Sequence, residues 1–268
     1  MKRLITLTTI ALLLTGCTSA SDADATNTFT VGMECNYAPF NWTTVEEGES
    51  TVAITSVDYC DGYDVVIAQQ IADELGMELV IKKISWDGLE PAVNSGEIDA
   101  IIAGMTATEE REENVDFTSP YYESEMVMIV RADGSYVDAT SIQDFAGATV
   151  LGQLNTLYDD VIDQINDVIH ATPLDTYPRM VLSLQENDVD GLVAELPVAI
   201  GVVAANPDLA IVQFSEGSGF DADTTVSIAV SEGNSELRDA IQSVLDGIDA
   251  DTRNDLMTQA VDRQPATE

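Results

Sequence analysis

Positive charge is scarce in this chain of 268 residues. Ten lysines and arginines stand against 48 aspartates and glutamates, which gives a formal net charge of −38 at pH 7. The acidic residues are spread along the chain rather than gathered in one tail. Such a surface repels phosphate groups, so nucleic acid and anionic lipid headgroups are poor partners for it.

Metal-binding side chains are also few. The only histidine, His170, lies far in sequence from the three cysteines, and this spacing disfavours a zinc site. Asp221 and Asp223 begin a pattern like that of a calcium loop. The glycine and the later glutamate that an EF-hand requires are missing from it. We therefore expect neither a metal site nor a cofactor.

The apolar run at the N-terminus is too short for a confident membrane span. Lys2 and Arg3 precede the run LITLTTIALLL, and Cys17 follows it after a small residue. A basic start, an apolar middle and a cysteine at the end are typical of a lipoprotein signal peptide. We expect residues 1–16 to be removed, Cys17 to carry the lipid, and residues 17–27 to form a polar tether. An uncleaved N-terminal anchor is the alternative.

Two further cysteines, Cys35 and Cys60, are left. A secreted protein lies in an oxidising compartment, where such cysteines commonly form a disulfide. We predict a disulfide between them, which would close a loop of roughly 25 residues and contribute about 3.5 kcal/mol in the chain-entropy model. Two separate buried thiols are the alternative.

Helices and strands alternate along the chain. Thr28–Met33 and residues 78–84 have the composition of strands, and residues 62–75 between them have apolar side chains at a helical period. The order β-α-β-α-β predicts a parallel sheet with right-handed crossovers. Apolar connectors at residues 125–130 and 225–230 flank a second α/β unit. We expect two lobes that hinge about a cleft.

Other segments are predicted from the same patterns. Residues 98–104 have the character of a buried strand, and residues 157–168 of a helix with Thr156 as its N-cap. Residues 43–61 are acidic and lack a clear period, so we expect an insertion resembling a hairpin.

Hydroxyl groups and one arginine gather in residues 104–122, GMTATEEREENVDFTSPYY. Thr106 and Thr108 follow the predicted strand, and Arg111 comes from the start of the next helix. Hydroxyls, free backbone N–H groups and a guanidinium fork suit a carboxylate ligand. A solvated salt bridge on the surface is the alternative for an arginine among so many acids.

Four ordered motifs resemble the polar amino-acid-binding proteins of ABC importers, the bacterial extracellular solute-binding family 3. They are NYAPFNW, GYDVVIAQQIADEL, GEIDAIIAGMTATEER and VDFTSPYY, and weaker matches continue through GQLNT and VDGLVAELPVA. The resemblance implies an α/β, two-lobed fold of the type II periplasmic-binding-protein kind, each lobe a mixed sheet flanked by helices, joined by two hinge strands. Residues 28–129 and 227–268 would form the first lobe, and residues 130–226 the second.

The resemblance implies two sites for the ends of an amino acid. Arg111 would hold the α-carboxylate, with Thr106 and Thr156 as further donors. Glu195 and the carbonyl group of Gly104 would hold the α-ammonium.

Further positions would surround the ligand's side chain. Tyr37 and Trp86 would lie on either side of it, and Glu34 would lie beside its far end. Thr108 would support the carboxylate site, and Gln153 in the GQLNT motif is also expected at the site. An acid at the far end favours arginine, lysine, ornithine or histidine as the ligand, then glutamine.

Three positions depart from the family pattern. Val66 replaces the second acid of the GYD motif, Asn155 replaces a glycine, and Glu195 replaces an aspartate. Asn155 fits if its backbone has a positive φ. The longer Glu195 changes the expected position of the ammonium.

The resemblance also implies partners and a location. We expect a monomer that binds a free amino acid outside the cytoplasm, is held on the outer face of the membrane by its lipid, and delivers the ligand to an ABC permease driven by an ATPase subunit. A cyclohexadienyl dehydratase-like enzyme and an amino-acid sensor are the alternatives on the same scaffold. Catalysis needs a placed acid or base, and no histidine lies near the motifs.

Overall fold

The computed structural model describes residues 27–265, and sixteen strands and eight α-helices lie within them. The expected signal peptide, Cys17, nearly all of the tether and residues 266–268 lie outside this range. The strands are β1 (Thr28–Met33), β2 (Asn36–Tyr37), β3 (Asn41–Thr44), β4 (Val52–Ala53), β5 (Tyr59–Asp61), β6 (Glu78–Lys83), β7 (Ala100–Ile101), β8 (Val115–Phe117), β9 (Tyr122–Glu123), β10 (Met126–Arg131), β11 (Thr149–Leu151), β12 (Ile169–His170), β13 (Gly191–Glu195), β14 (Leu209–Val212), β15 (Thr225–Val226) and β16 (Ala229–Ser231). The helices are α1 (Tyr63–Leu75), α2 (Trp86–Asn94), α3 (Glu109–Glu112), α4 (Leu157–Asp160), α5 (Tyr177–Gln185), α6 (Leu196–Ala205), α7 (Ser235–Leu245) and α8 (Ala250–Arg263).

Two five-stranded sheets form the two lobes. The first has the order β6-β1-β7-β16-β8, with β1 parallel to both neighbours and β16 antiparallel to both of its own. The second has the order β12-β11-β13-β10-β14, with β10 antiparallel to β13 and β14. We call each sheet with its flanking helices the first and the second lobe. Both sheets are mixed, so the predicted fold class is confirmed.

The chain passes between the lobes at a two-stranded ladder of β9 and β15. All of β10, from Met126 onward, pairs with strands of the second sheet. The domain boundary predicted from the sequence lay after residue 129. The predicted strand over residues 225–230 is divided, because Ser227 and Ile228 turn aside between β15 and β16. The Ser227 N–H donates to the carbonyl of Met105 at 2.8 Å, and the Ile228 N–H donates to the Thr118 hydroxyl at 3.1 Å.

Helix α1 shows how the sequence builds the first lobe. Its buried side chains, including Ile67, Ile71 and Ala72, recur at helical spacing and pack on β1 and β6. Gly62 precedes it with φ 139°, and a Cβ there would lie 2.1 Å from the Phe40 carbonyl oxygen, so only glycine fits. Gly76 ends it in the left-handed conformation.

The acidic insertion forms a small sheet of its own, with the order β2-β3-β5-β4. The predicted disulfide joins Cys35 and Cys60, whose Cα atoms are 5.9 Å apart. Because Cys35 lies two residues after β1, the disulfide fixes the insertion beside the end of that interior strand.

Two predicted elements are shorter than the sequence suggested. The strand over residues 98–104 contains only Ala100–Ile101, since the chain turns away before Gly104, which has φ 61°. The helix over residues 157–168 changes after Asp160 into a 3-10 helix over Val161–Gln164. That change lets the neighbouring residues Val161 and Ile162 both bury in the second-lobe core. Within residues 27–265, no helix is long and apolar enough to cross a membrane.

Candidate functional site

A cavity between the lobes contains most of the predicted ligand-binding residues. Eight of the ten predicted positions line it: Glu34, Tyr37, Trp86, Gly104, Thr106, Arg111, Gln153 and Thr156. Leu157 and Tyr158 complete the lining, and neither was predicted. Glu195 and Thr108 lie outside the lining. The enclosed volume is about 10 Å³, which holds about one water molecule. Separation of the walls is therefore needed to admit an amino acid.

Arg111 presents a nearly buried cation to this cavity. Its side chain is 11% exposed, Nη1 donates to the Thr106 carbonyl at 2.9 Å, and Nε lies 3.6 Å from a Glu90 carboxylate oxygen. The guanidinium carbon lies 5.1 Å from the centre of the Trp86 ring, within range of a cation–π contact. Burial lowers the pKa of Arg111, opposed by the Glu90 charge. A guanidinium with an incomplete set of partners suits an anionic ligand.

The hydroxyls near Arg111 differ in their contacts. Thr106 is buried and lines the cavity, whereas the Thr108 hydroxyl caps helix α3 by accepting from the Arg111 N–H at 3.4 Å. Thr108 therefore supports the backbone that carries Arg111. Thr156 occupies the N-cap position of α4 as predicted, but its hydroxyl donates to the Gln153 carbonyl at 2.8 Å instead of capping the helix.

Asn155 connects the second lobe to the first beside the cavity. Its carbonyl oxygen accepts from Trp86 Nε1 at 2.9 Å and from Arg111 Nη2 at 3.3 Å. Its side-chain amide donates to Asp87 at 2.8 Å. The φ of Asn155 is 57°, which meets the condition for an asparagine at this position. Trp86 therefore contacts the opposite lobe with its ring nitrogen in this closed arrangement.

Glu34 is a buried acid at the far side of the cavity. Gln153 Nε2 donates to its carboxylate at 3.3 Å and to the Asp175 carbonyl at 3.1 Å. Burial raises the pKa of Glu34 to about 7, and the charges of Asp175 and Asp87 act in the same direction. An acid in this condition is stabilised in its charged form by an incoming cation.

Glu195 is fully buried behind two tyrosines. The hydroxyls of Tyr37 and Tyr158 both donate to its Oε1, the first at 2.9 Å. Its Oε2 is buried and has no hydrogen-bond partner among the described residues. Burial raises the pKa of Glu195 to about 7, partly opposed by the two hydroxyls. The predicted ammonium acceptor thus lies at the cleft, one side chain behind the cavity wall.

A buried network connects the two first-lobe loops of the site. Asp64 accepts from the Tyr121 hydroxyl at 2.6 Å and from Asn41 Nδ2 at 2.8 Å. The Tyr121 hydroxyl accepts from the Gly104 N–H, and Asn41 accepts from the Cys35 N–H. Burial raises the pKa of Asp64 to about 7. Asp64, in the first turn of α1, therefore fixes the backbone at both loops.

A second and larger space, about 1770 Å³, lies between the acidic insertion and helices α1, α5 and α8. It contains none of the predicted ligand-binding residues, and it is open to solvent. Its size does not make it the better site, because the charges of Asp61 and Arg263 in its lining already compensate each other in an ion pair at 3.1 Å. No group of three or more side chains suited to a metal ion occurs within residues 27–265.

Known proteins that resemble this chain bind solutes, which agrees with a ligand cavity between the two lobes. The model of the family described as bacterial extracellular solute-binding proteins, family 3, matches residues 29–260. A "Probable histidine-binding protein" of Campylobacter jejuni is 32% identical over 219 residues, which cover 78% of this chain and 80% of that protein.

Two solved structures are similar over most of the chain. An amino acid ABC transporter substrate-binding protein of Streptococcus pneumoniae, bound to L-arginine, has 26% identity and a TM-score of 0.75, covering 88% of this chain and 95% of its own. A truncated ArgBP from T. maritima in its arginine-bound form has 30% identity and a TM-score of 0.70, covering 83% of this chain and 97% of its own. The chain belongs to family 3 of the bacterial extracellular solute-binding proteins.

Proposed function

We propose that the protein is the substrate-binding component of an ABC importer and captures an amino acid with a basic side chain in the cleft between its lobes. The observation that carries the proposal is one buried cation and two buried acids around a single interlobe cavity. A zwitterion needs an anion site and a cation site a few ångströms apart, and a basic side chain needs a second cation site. The similar proteins reported above are named for histidine or are bound to arginine, which agrees with this class of ligand.

Arg111 would hold the α-carboxylate in this proposal, with Thr106 and Thr156 as further donors. Glu195 and the Gly104 carbonyl would hold the α-ammonium. These groups come from both lobes, so they contact the ligand together only when the cleft is closed. Ligand binding would therefore shift the equilibrium between open and closed forms toward the closed form.

The ligand's side chain would extend between Tyr37 and Trp86 toward Glu34. The Glu34 carboxylate is bonded only weakly, by Gln153 at 3.3 Å, so a guanidinium or ammonium group would gain the stronger charge-assisted contact. An amide ligand such as glutamine ranks second, because it can donate to Glu34 without compensating its charge. An acidic side chain would be repelled.

Delivery to a permease and its ATPase follows from membership of the importer family, and the role is capture rather than catalysis. A lipid on Cys17, a tether over residues 17–27 and a monomeric state complete the proposal for a protein outside the cytoplasm. Mass spectrometry of the protein from its native membrane would detect a lipid on Cys17.

A thermal-shift screen of the purified protein against the common amino acids tests the ligand class. We expect arginine, lysine, ornithine or histidine to raise the melting temperature most, because binding to the folded state alone stabilises it. Glutamate serves as the matched negative control. A screen in which no basic amino acid and no glutamine raises the melting temperature would reject the proposed ligand class.

A further inference from the structure

Glu195 is fully buried, and it has no cation partner among residues 27–265. Both hydrogen bonds that it accepts go to the same atom, Oε1, and come from Tyr37 and Tyr158. Its Oε2 is left without a partner among residues 27–265. A buried carboxylate is costly unless every oxygen is hydrogen-bonded or paired with a cation. Glu195 Oε2 is therefore available to a hydrogen-bond donor or cation that the described residues do not supply.

The two tyrosines differ in their relation to the cleft. Tyr37 belongs to β2 on the first-lobe side, whereas Tyr158 lies in α4, which packs on β13 beside Glu195 in the second lobe. Because Tyr37 and Glu195 come from opposite sides of the cleft, opening it would separate them, whereas Tyr158 and Glu195 belong to the same lobe and would stay together. A third buried tyrosine, Tyr177, donates to the Val193 carbonyl at 2.8 Å and is not a partner of Glu195.

We propose that Tyr158 is a positioning residue that holds Glu195 Oε1 in the open protein and so directs Oε2 toward the α-ammonium of the ligand. This inference rests on the proposed function, because it needs an amino-acid ligand at Glu195. It assigns to Tyr158 a selective effect on ligands that carry an α-amino group.

The length of Glu195 gives such a residue a physical advantage. A glutamate side chain has one more rotatable bond than an aspartate, and ordering it costs more conformational entropy. A hydroxyl bond from within the same lobe restricts that freedom before the ligand arrives, which reduces the cost of binding. Burial and the Glu195 charge raise the pKa of Tyr158 well above its ordinary value, so its hydroxyl keeps the proton that it donates.

The test compares L-arginine with deamino-arginine, the same molecule without its α-amino group, by isothermal titration calorimetry. We expect the wild-type protein to prefer arginine by about 100-fold or more. In Tyr158→Phe the preference should fall about 10-fold, because one hydrogen bond to a charged group is lost. The affinity for deamino-arginine should stay nearly unchanged. Tyr136→Phe, a tyrosine that stacks on Phe145 in the second-lobe core, is the matched control and should keep the wild-type preference.

Glu195→Gln provides the second arm. This variant should lose most of the preference for arginine, and adding Tyr158→Phe to it should have no further effect, since the two residues act as one unit. The inference is overturned if Tyr158→Phe keeps the wild-type preference, or lowers it equally in the Glu195→Gln background. If Tyr158→Phe does not fold, retention of the arginine preference in Glu195→Gln alone overturns it. A wild-type protein that binds neither compound would instead reject the proposed function.

Discussion

Replacing Arg111 by alanine removes the cation on which the proposed carboxylate site depends. The guanidinium is 11% exposed and is held against Thr106, Asn155 and the Trp86 ring. Truncating one partner of a desolvated, hydrogen-bonded charge pair costs on the order of 3–5 kcal/mol. The affinity for L-arginine should therefore fall by roughly 100- to 4,000-fold.

The fold should tolerate the same change. The Asn155 carbonyl keeps its bond from Trp86 Nε1 at 2.9 Å, and the Thr106 carbonyl keeps its bond from the Thr108 N–H at 3.1 Å. The hydrogen bonds of the guanidinium and its ion pair with Glu90 are lost, at a cost of about 1–2 kcal/mol of folding free energy. The Arg111→Ala protein should thus remain folded at 25 °C while binding fails, which separates a binding defect from an unfolding defect.

Isothermal titration calorimetry measures the loss of affinity for L-arginine, and thermal unfolding measures the loss of folding stability. Arg238→Ala is the matched control, because Arg238 lies on α7 and pairs with Asp239 on the surface, away from the cavity. It should leave the affinity unchanged. Arg111→Lys keeps the charge but loses the planar fork, so an intermediate affinity is expected. Binding by Arg111→Ala within about threefold of the wild type would refute the assignment of Arg111 to the carboxylate.

Three further changes have defined outcomes. Removing the disulfide with the double substitution Cys35→Ser and Cys60→Ser should lower the free energy of unfolding by about 3.5 kcal/mol, measured by urea denaturation. An unchanged free energy of unfolding would contradict the structural role of the disulfide. Raising the pH from 5.5 to 8 should strengthen L-arginine binding by about 10-fold or more, because Glu34 and Glu195, whose pKa values burial raises to about 7, must ionise to face a cation. Over the same range the ligand-free protein should lose stability, since its folded state retains protons that the unfolded state has already released; a melting temperature that rises instead would contradict these pKa directions. Asn155→Gly keeps the positive φ but removes the hydrogen bond from the side-chain amide to Asp87 at the start of α2. The equilibrium of the ligand-free protein should therefore shift toward the open form by about 1 kcal/mol, and small-angle scattering should show a larger radius of gyration. An unchanged radius would argue against the contact.

The fold was predictable because its signals are local and repeated. The helical spacing of Ile67 and Ile71 in α1, the glycine at its end, and the alternation of strands and helices each indicate the same α/β order. The point at which the chain crosses between lobes was less predictable. It depends on whether Met126 pairs with the first or the second sheet, and a continuous apolar strand suits both.

The site was predictable where one motif carried it. Arg111 and Thr106 follow a strand end within a recognisable segment, and the structure places both at the cavity. The partners of Glu195 could not be predicted, because Tyr37 and Tyr158 are 158 and 37 residues away from it in sequence. The position of Tyr158 two residues after Thr156, at the start of a helix facing the cleft, was the only local signal.

The most direct test of the account is a crystal structure of the protein with L-arginine. We expect one ligand between the lobes, with its α-carboxylate bonded to Arg111, its α-ammonium at Glu195 Oε2, and its guanidinium at Glu34. Arginine bound only in the open groove beside the acidic insertion, with Arg111 and Glu195 both out of contact with it, would contradict the account.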